Sequence, residues 1–286
     1  MTQNYYLGAD LGGTQLRLAA IDREGHLLTE IFSLPTGKNF SPEDLQNGIS
    51  ELSARIKNAL GSGSPAAFGL GTAGAVLNGV MSAATNLPLL EGMNAQEVLS
   101  DVVKCPAKID NDANCFALAE ARFGAGKGAR HLCAVTLGTG SGCGIIIDGK
   151  VHQGAHAQAG EIWSIPLRDH FLEYYLSGLG VARSYEESGG EAGAVDAAKV
   201  AELARAGDAV AVKVWQQVTA DLHFLCEVLA AVVDPEMIVI GGSLAQSRDL
   251  FDDELKRRLS SRNLPIAYAA LGTSAGVIGA ASLNLD

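Results

Sequence analysis

Tyr5-Tyr6-Leu7-Gly8-Ala9-Asp10-Leu11-Gly12-Gly13-Thr14-Gln15-Leu16-Arg17-Leu18-Ala19-Ala20-Ile21 decides how the rest of the chain is read. Apolar runs on either side of Gly12-Gly13-Thr14 read as two strands joined by a tight turn. Glycine allows positive φ and lets successive backbone N–H groups approach an anion closely. The pattern returns far downstream, where Leu132–Thr136 leads into Leu137-Gly138-Thr139-Gly140-Ser141-Gly142 and then Gly144–Ile147. One such turn would be an ordinary hairpin. Two of them, with hydroxyls and an acid, point to a polyphosphate held from both sides.

Outward from these turns the chain reads as α/β. The first half continues with a third strand-like run, Leu27–Leu34, and a helix capped by Ser41 with Pro42 at its first position. Leu45, Ile49, Leu52, Ile56 and Leu60 share one face of that helix. A buried strand Ala66–Leu70, a helix closing at Val98–Val103 and a strand Cys105–Asp110 follow. The helix Ala113–Arg122 then leads to the second strand-turn-strand unit. Helices are predicted over Phe171–Ser188, Ala197–Arg205 and Asp208–Val233. Asp234-Pro235 ends the last of these, ahead of the apolar strand Met237–Ile240 and Gly241-Gly242. A helix from about Arg248 to Leu259, a strand Ile266–Leu271 and a helix Ser274–Ala281 close the chain. The duplication suggests one lobe over residues 1–110 and another over 111–272, with the last helix (273–286) packed back on the first.

The 286 residues can bury a large core, and 48% hydrophobic with 19% charged residues is a globular composition. A net charge of −11 argues against nucleic acid or an anionic membrane surface as the main partner. The start of the chain shows no basic-then-apolar leader. Val228–Val233 is far shorter than the roughly 18 apolar residues of a membrane span. Five scattered cysteines without a CxxC pair fit a reducing compartment, and a cytoplasmic location is expected.

Three familiar patterns are set aside. Gly69-Leu70-Gly71-Thr72-Ala73-Gly74 has the GxGxxG spacing, yet a turn and strand follow it where a dinucleotide fold needs a helix. Gly124-Ala125-Gly126-Lys127-Gly128 lacks the earlier glycine and the Ser/Thr of a P-loop. His152 and His156 sit in a loop with no carboxylate or thiol partner, so solvated or structural roles outweigh a metal site.

Asp10 with Gly12, Gly13 and Thr14 could hold a hydrated Mg²⁺ beside phosphate oxygens, or make only a local turn bond. Asp110-Asn111-Asp112-Ala113-Asn114 places polar groups at a strand's carboxyl end and a helix mouth, where ligands of α/β sheets bind. Capping accounts for one of these residues and not for all four. A carboxylate there could take the proton of an attacking hydroxyl, with the amide of Asn111 orienting it. Glu161 and Glu173, taken singly, each read more readily as a solvated carboxylate than as a site residue.

Taken in order, these segments resemble the ROK family of sugar kinases within the actin–hexokinase superfamily. The resemblance adds Gly71-Thr72-Ala73-Gly74, Thr85-Asn86-Leu87-Pro88, Ala117-Leu118-Ala119-Glu120, Gly160-Glu161-Ile162, Leu172-Glu173 and Ser177-Gly178. It implies two actin-like (ribonuclease H-like) lobes with a central cleft, ATP and Mg²⁺ as donor and metal, and a homodimer. By that resemblance Asp112 is the general base, and Asn86, Asn111, Glu161 and Glu173 hold the sugar. Asp10, Gly12, Gly13 and Thr14 face Mg²⁺ and phosphates, with Asp10 reaching the metal through water. Thr139 and Gly140 hold donor phosphates, and Gly241 and Gly242 pass near the nucleotide. The acceptor it implies is a hexose of the glucose type or an N-acetylhexosamine, and the donor ATP or polyphosphate. A non-catalytic sugar-binding regulator is the competing class; the repressors of the family carry an extra N-terminal DNA-binding module that is not expected here.

One departure stands out. Most members continue Gly-Glu-Ile-Gly-His and then a CxCGxxGC cluster that binds structural zinc. This chain has Gly160-Glu161-Ile162-Trp163-Ser164 and no cysteine in the short segment that follows. No zinc site is therefore expected. Trp163 is expected either to fill the space of the missing metal loop or to sit in the core as an ordinary tryptophan.

Overall fold

The two glycine turns join the first two strands of two separate sheets. In a computed structural model describing residues 4–84, 86–191 and 196–285, β1 (Tyr5–Leu11) pairs antiparallel with β2 (Gln15–Ile21), placing Asp10 opposite Arg17. Thr85, part of the run quoted above, lies outside the described residues. β3 (Phe32–Pro35) borders β2, while β4 (Pro65–Thr72) and β7 (Ala107–Asn111) extend the sheet in parallel on the other side. The order is β3-β2-β1-β4-β7. Between β4 and β7 come the small hairpin β5 (Val76–Leu77) and β6 (Val80–Met81) and the helix α2 (Ala95–Val103). The turn and strand after Gly74 are thus present, which removes the dinucleotide reading.

The second sheet repeats the plan. β8 (Leu132–Leu137) and β9 (Ser141–Ile147) are antiparallel, with β10 (Lys150–Val151) beyond them. β13 (Met237–Gly241) and β14 (Ile266–Tyr268) add in parallel, for the order β10-β9-β8-β13-β14.

Helices fill both faces of each sheet. α1 (Pro42–Leu60) begins with a capping box, Ser41 and Asp44 each satisfying the other's backbone N–H, a device worth about 1 kcal/mol. It buries Leu45, Ile49, Leu52 and Ile56 in the core of the first sheet, lying over β2 and β3. On the second sheet, α6 (Ala197–Arg205) packs beside α7 (Ala209–Val233), whose Trp215, Leu222 and Leu225 share one core with β8 and β13. Between the two sheets lie α3 (Asp112–Phe123) and α9 (Ala275–Ser282). A Cβ on Gly8 would stand 1.9 Å from Val277 O, and one on Gly69 1.7 Å from Ala280 O, so α9 rests directly on the backbone of β1 and β4. Gly144 lets α3 approach β9 in the same way, and Gly279 sits on Cys115 O. The layers therefore run sheet, α9, α3, sheet. Four cysteines are buried and Cys105 is partly so; all five are free thiols.

Several elements differ from the sequence reading. The third strand begins at Phe32 and not at Leu27, because the Thr29 hydroxyl takes the Ala20 N–H that a ladder carbonyl would accept. The long helix expected over Phe171–Ser188 is two: α4 (Leu172–Tyr175) and α5 (Gly178–Glu187). Ser177 breaks it in extended backbone, accepting from Gly180 N at 3.1 Å and donating to Glu173 O at 2.8 Å. The helix expected from Arg248 starts at Asp252 as α8 (Asp252–Leu259), preceded by a 3-10 segment Ser243–Leu250 and the non-helical, buried Phe251. Among the described residues no helix is long and apolar enough to cross a membrane.

Candidate active site

Asp112 is the first residue of α3, where β7 ends. The helix cap is Asn111, whose Oδ1 accepts from Ala113 N (2.8 Å) and Asn114 N (3.3 Å). Its Nδ2 donates to Gly74 O at 3.0 Å, tying the cap to the loop after β4. Capping thus uses Asn111, while Asp110 is buried beneath it, receiving Asn111 N, Asn114 Nδ2 and Gln153 Nε2. Burial raises the Asp110 carboxyl above its ordinary range against these donors.

Asp112 spends one oxygen on Ala113 N at 2.8 Å and keeps solvent access. Protein nevertheless crowds it enough that desolvation is the largest cause of a rise from 3.8 to about 6, followed by the negative charges of Asp10 and Glu161. Asp112 therefore lies within electrostatic reach of Asp10 on β1 and of Glu161 in the loop after β10. Asp10 is itself raised by desolvation against the opposing pull of Arg17, whose Nη1 lies 3.4 Å from Oδ2. The N-terminal turn of α9 backs Asp10: a Cβ on Gly276 would come within 2.8 Å of its Oδ2.

The first glycine turn is braced by Gly12 N to Gln15 O (2.9 Å) and by the Thr36 hydroxyl on Gly12 O (2.7 Å). A Cβ on Gly13 would touch Asn86 Cβ at 3.0 Å, so this turn and Asn86 face each other. In the second turn Ser141 N donates to Glu173 Oε2 at 2.8 Å, and a Cβ on Gly140 would meet the same oxygen at 2.5 Å. Gly242, at φ 85°, lies against Leu137, where any side chain would strike backbone. Among the described residues, buried Ser141 Oγ has no hydrogen-bond partner, a state that buried hydroxyls seldom keep without ligand or water. Beside this turn opens a cavity of about 370 Å³ lined by Gly138, Thr139, Leu179, Ala182, Leu244 and Gln246 among others.

The structure thus sets Asp112 within electrostatic reach of Asp10 and of Glu161, Gly13 against Asn86, and Glu173 against Gly140. Thr139 borders the cavity, and Gly241 and Gly242 lead from β13 into its wall. Sequence reasoning missed Gln153, Leu179 and Ala182. The last two could have been found from Ser177-Gly178, a helix-start signature that turns α5 toward the cavity.

In place of a metal loop, β11 (Pro166–Leu167) and β12 (His170–Phe171) form a hairpin. Arg168 at its tip makes two hydrogen bonds to Asp221 (2.5 and 2.8 Å), whose side chain is only 4% exposed, and stacks over Tyr175. Trp163 is not a core residue, being 43% exposed, and its ring meets Phe171 of this hairpin. The ion pair holds the hairpin. Among the described residues no three His, Cys, Asp or Glu side chains are grouped to hold a metal.

Residues 6–286 match the ROK family. The chain belongs to the ROK family. ROK relatives include a glucokinase of Halalkalibacterium halodurans, 30% identical over 98% of this chain and 94% of that one. An N-acetyl-D-glucosamine kinase of Aliivibrio salmonicida is 31% identical over 98% and 99%. A ROK glucokinase from Streptomyces griseus, solved with glucose and AMPPNP, superposes with a TM-score of 0.80 at 26% identity, covering 98% of this chain and 99% of that one. The two five-stranded sheets are the actin-like fold of these ROK structures.

Proposed function

We propose that this ROK protein is an ATP-dependent kinase of a hexose of the glucose type, with Asp112 as the general base for a primary hydroxyl. The coarser activity, that of a sugar kinase, follows from the family and its relatives. The observation that carries the finer reading is Asp112 itself, at a helix mouth open to solvent, with its carboxyl pushed up to about 6. A base of that strength is ionised at neutral pH yet retains more proton affinity than an ordinary carboxylate.

Asn86, Asn111, Glu161 and Glu173 hold and orient the acceptor. Asp112 takes the hydroxyl proton as oxygen attacks the γ-phosphorus, and ADP leaves. The N–H groups of Gly12 to Thr14 and of Thr139 to Ser141 receive phosphate oxygens, and the unpaired Ser141 hydroxyl supports this use. The cavity bordered by Thr139, with Gly241 and Gly242 near it, takes the nucleoside end. Mg²⁺, when bound, neutralises charge on the transferring phosphates. Asp10 fits it as a single, partly solvated carboxylate, in keeping with a metal that retains waters and phosphate ligands. Residues 1–110 and 111–272 act as two lobes around this cleft, with α9 on the first, and closure excludes water.

An N-acetylhexosamine kinase is the second reading, favoured by Ser164, which stands where most ROK members carry histidine and donates to Glu161 O at 2.9 Å. An ADP-release screen over hexoses and N-acetylhexosamines, with ATP and with polyphosphate, tests both. Turnover fastest on a hexose supports the first reading; turnover on no sugar would leave a sugar-binding regulator.

A further inference from the structure

Glu161 sits between two constraints. It must offer its carboxylate to sugar hydroxyls, and it faces the like charge of Asp112. Its own backbone gives little help: it precedes a single 3-10 turn, Ile162–Ser164, without a side-chain cap. The carboxylate has one hydrogen bond from the described residues. The indole Nε1–H of Trp163, two residues on, donates to Oε2.

We propose that Trp163 is a positioning residue for the acceptor, its indole N–H holding Glu161 in the orientation that receives the sugar. The assignment rests on the kinase reading of the cleft. Indole is a donor only, so it fixes Oε2 without competing for the hydroxyl protons that Oε1 accepts. The ring also meets Phe171 edge-on, with centroids 6.2 Å apart at 90°. Phe171 is the residue before α4, which carries Glu173. One side chain therefore touches one sugar-binding glutamate and the lead-in to the other. Phe171 is in turn carried by the hairpin that Arg168 anchors on Asp221. A tryptophan left 43% exposed contributes little to the core; the second tryptophan of the chain, Trp215, is 2% exposed and packs there.

Trp163→Phe keeps the ring against Phe171 and removes only the N–H. Hydrogen bonds to charged groups contribute enough that its loss should weaken sugar binding by about tenfold or more. The expected result is KM for the sugar raised by about that factor, with kcat and KM for ATP within about twofold of wild type. Glucose and N-acetylglucosamine are the probes, and their affinities are read by calorimetry as well as by turnover. Wild-type emission minus that of Trp163→Phe isolates the exposed indole, and saturating sugar should change it. Glu161→Gln combined with Trp163→Phe should cost less than the sum of the two, because both act on one bond. Equal sugar affinity in wild type and Trp163→Phe, or a loss confined to kcat, overturns the proposal. Sugar binding without turnover overturns the kinase reading and leaves the Trp163 comparison decisive by calorimetry. Binding of neither sugar to the wild type overturns both.

Discussion

Asp112→Asn separates chemistry from stability in opposite directions. Asparagine keeps the size of the side chain and the oxygen that accepts from Ala113 N, and it removes the charge. Turnover should fall by about 10²–10⁴-fold, the range for loss of a general base, while sugar affinity stays near that of wild type. Stability should move the other way. The Asp112 carboxyl is raised from 3.8 to about 6, so the folded protein keeps this proton to higher pH than the unfolded chain. Its ionisation therefore costs no stability below about pH 4, costs progressively more up to about pH 6, and a constant amount beyond. A shift of about two units corresponds to ~3 kcal/mol in a dry site. Asp112 is open to cleft water, which screens the penalty, and ~1 kcal/mol is the expected gain for the asparagine variant. At pH 8 its Tm should exceed wild type by about 2–4 °C, the difference vanishing near pH 4. Thermal melts across that range, with coupled ADP-release kinetics at pH 8, measure both effects. A variant with near-normal kcat refutes the base assignment. A variant with no gain at pH 8 refutes the argument that Asp112 is held against desolvation and the charges of Asp10 and Glu161.

In the wild type, kcat/KM should rise through an acid limb centred near pH 6, and Asp10→Asn, by deleting one of the charges that raise Asp112, should move that limb to lower pH while raising the Mg²⁺ requirement; an unmoved limb denies the coupling. Gly69→Val should destabilise by several kcal/mol in denaturant melts, since even a Cβ there meets Ala280 O at 1.7 Å and a helix laid on a strand cannot retreat without opening the core. Arg168→Ala should cost about 2–4 kcal/mol by leaving the buried Asp221 carboxylate without its ion-pair partner, whereas Arg168→Ala with Asp221→Leu should recover much of that loss. Purified protein should contain no stoichiometric zinc by elemental analysis, and a chelator should leave its melting temperature unchanged.

The sequence exposed what is written in local backbone. Both glycine turns, the Ser41 cap of α1 and the helix mouth at Asn111 are short-range devices, in which a few neighbouring residues dictate φ and the hydrogen-bond partners. The side of the cleft proposed for the donor is built from such devices, and their backbone form was legible. The acceptor side is built from packing across the chain. Glu173 could be paired with Gly140 only once Ser177 had ended α4 and the turn before Ser141 had closed on it. Asp10 and Glu161 come within electrostatic reach of Asp112 because two sheets clasp α9 and α3 through glycines whose partners no local pattern names. Trp163 shows the limit most directly. An apolar aromatic is more often buried than not, so sequence weighed two buried fates for it, yet the indole stands half in solvent with its N–H on Glu161. A hydrogen bond between residues two apart is local, but its worth depends on where the distant Asp112 places its charge. On the proposed reading, specificity for the sugar therefore lies in the part of the cleft that is assembled by tertiary contact, and small changes such as Trp163-Ser164 alter it without disturbing the two glycine turns.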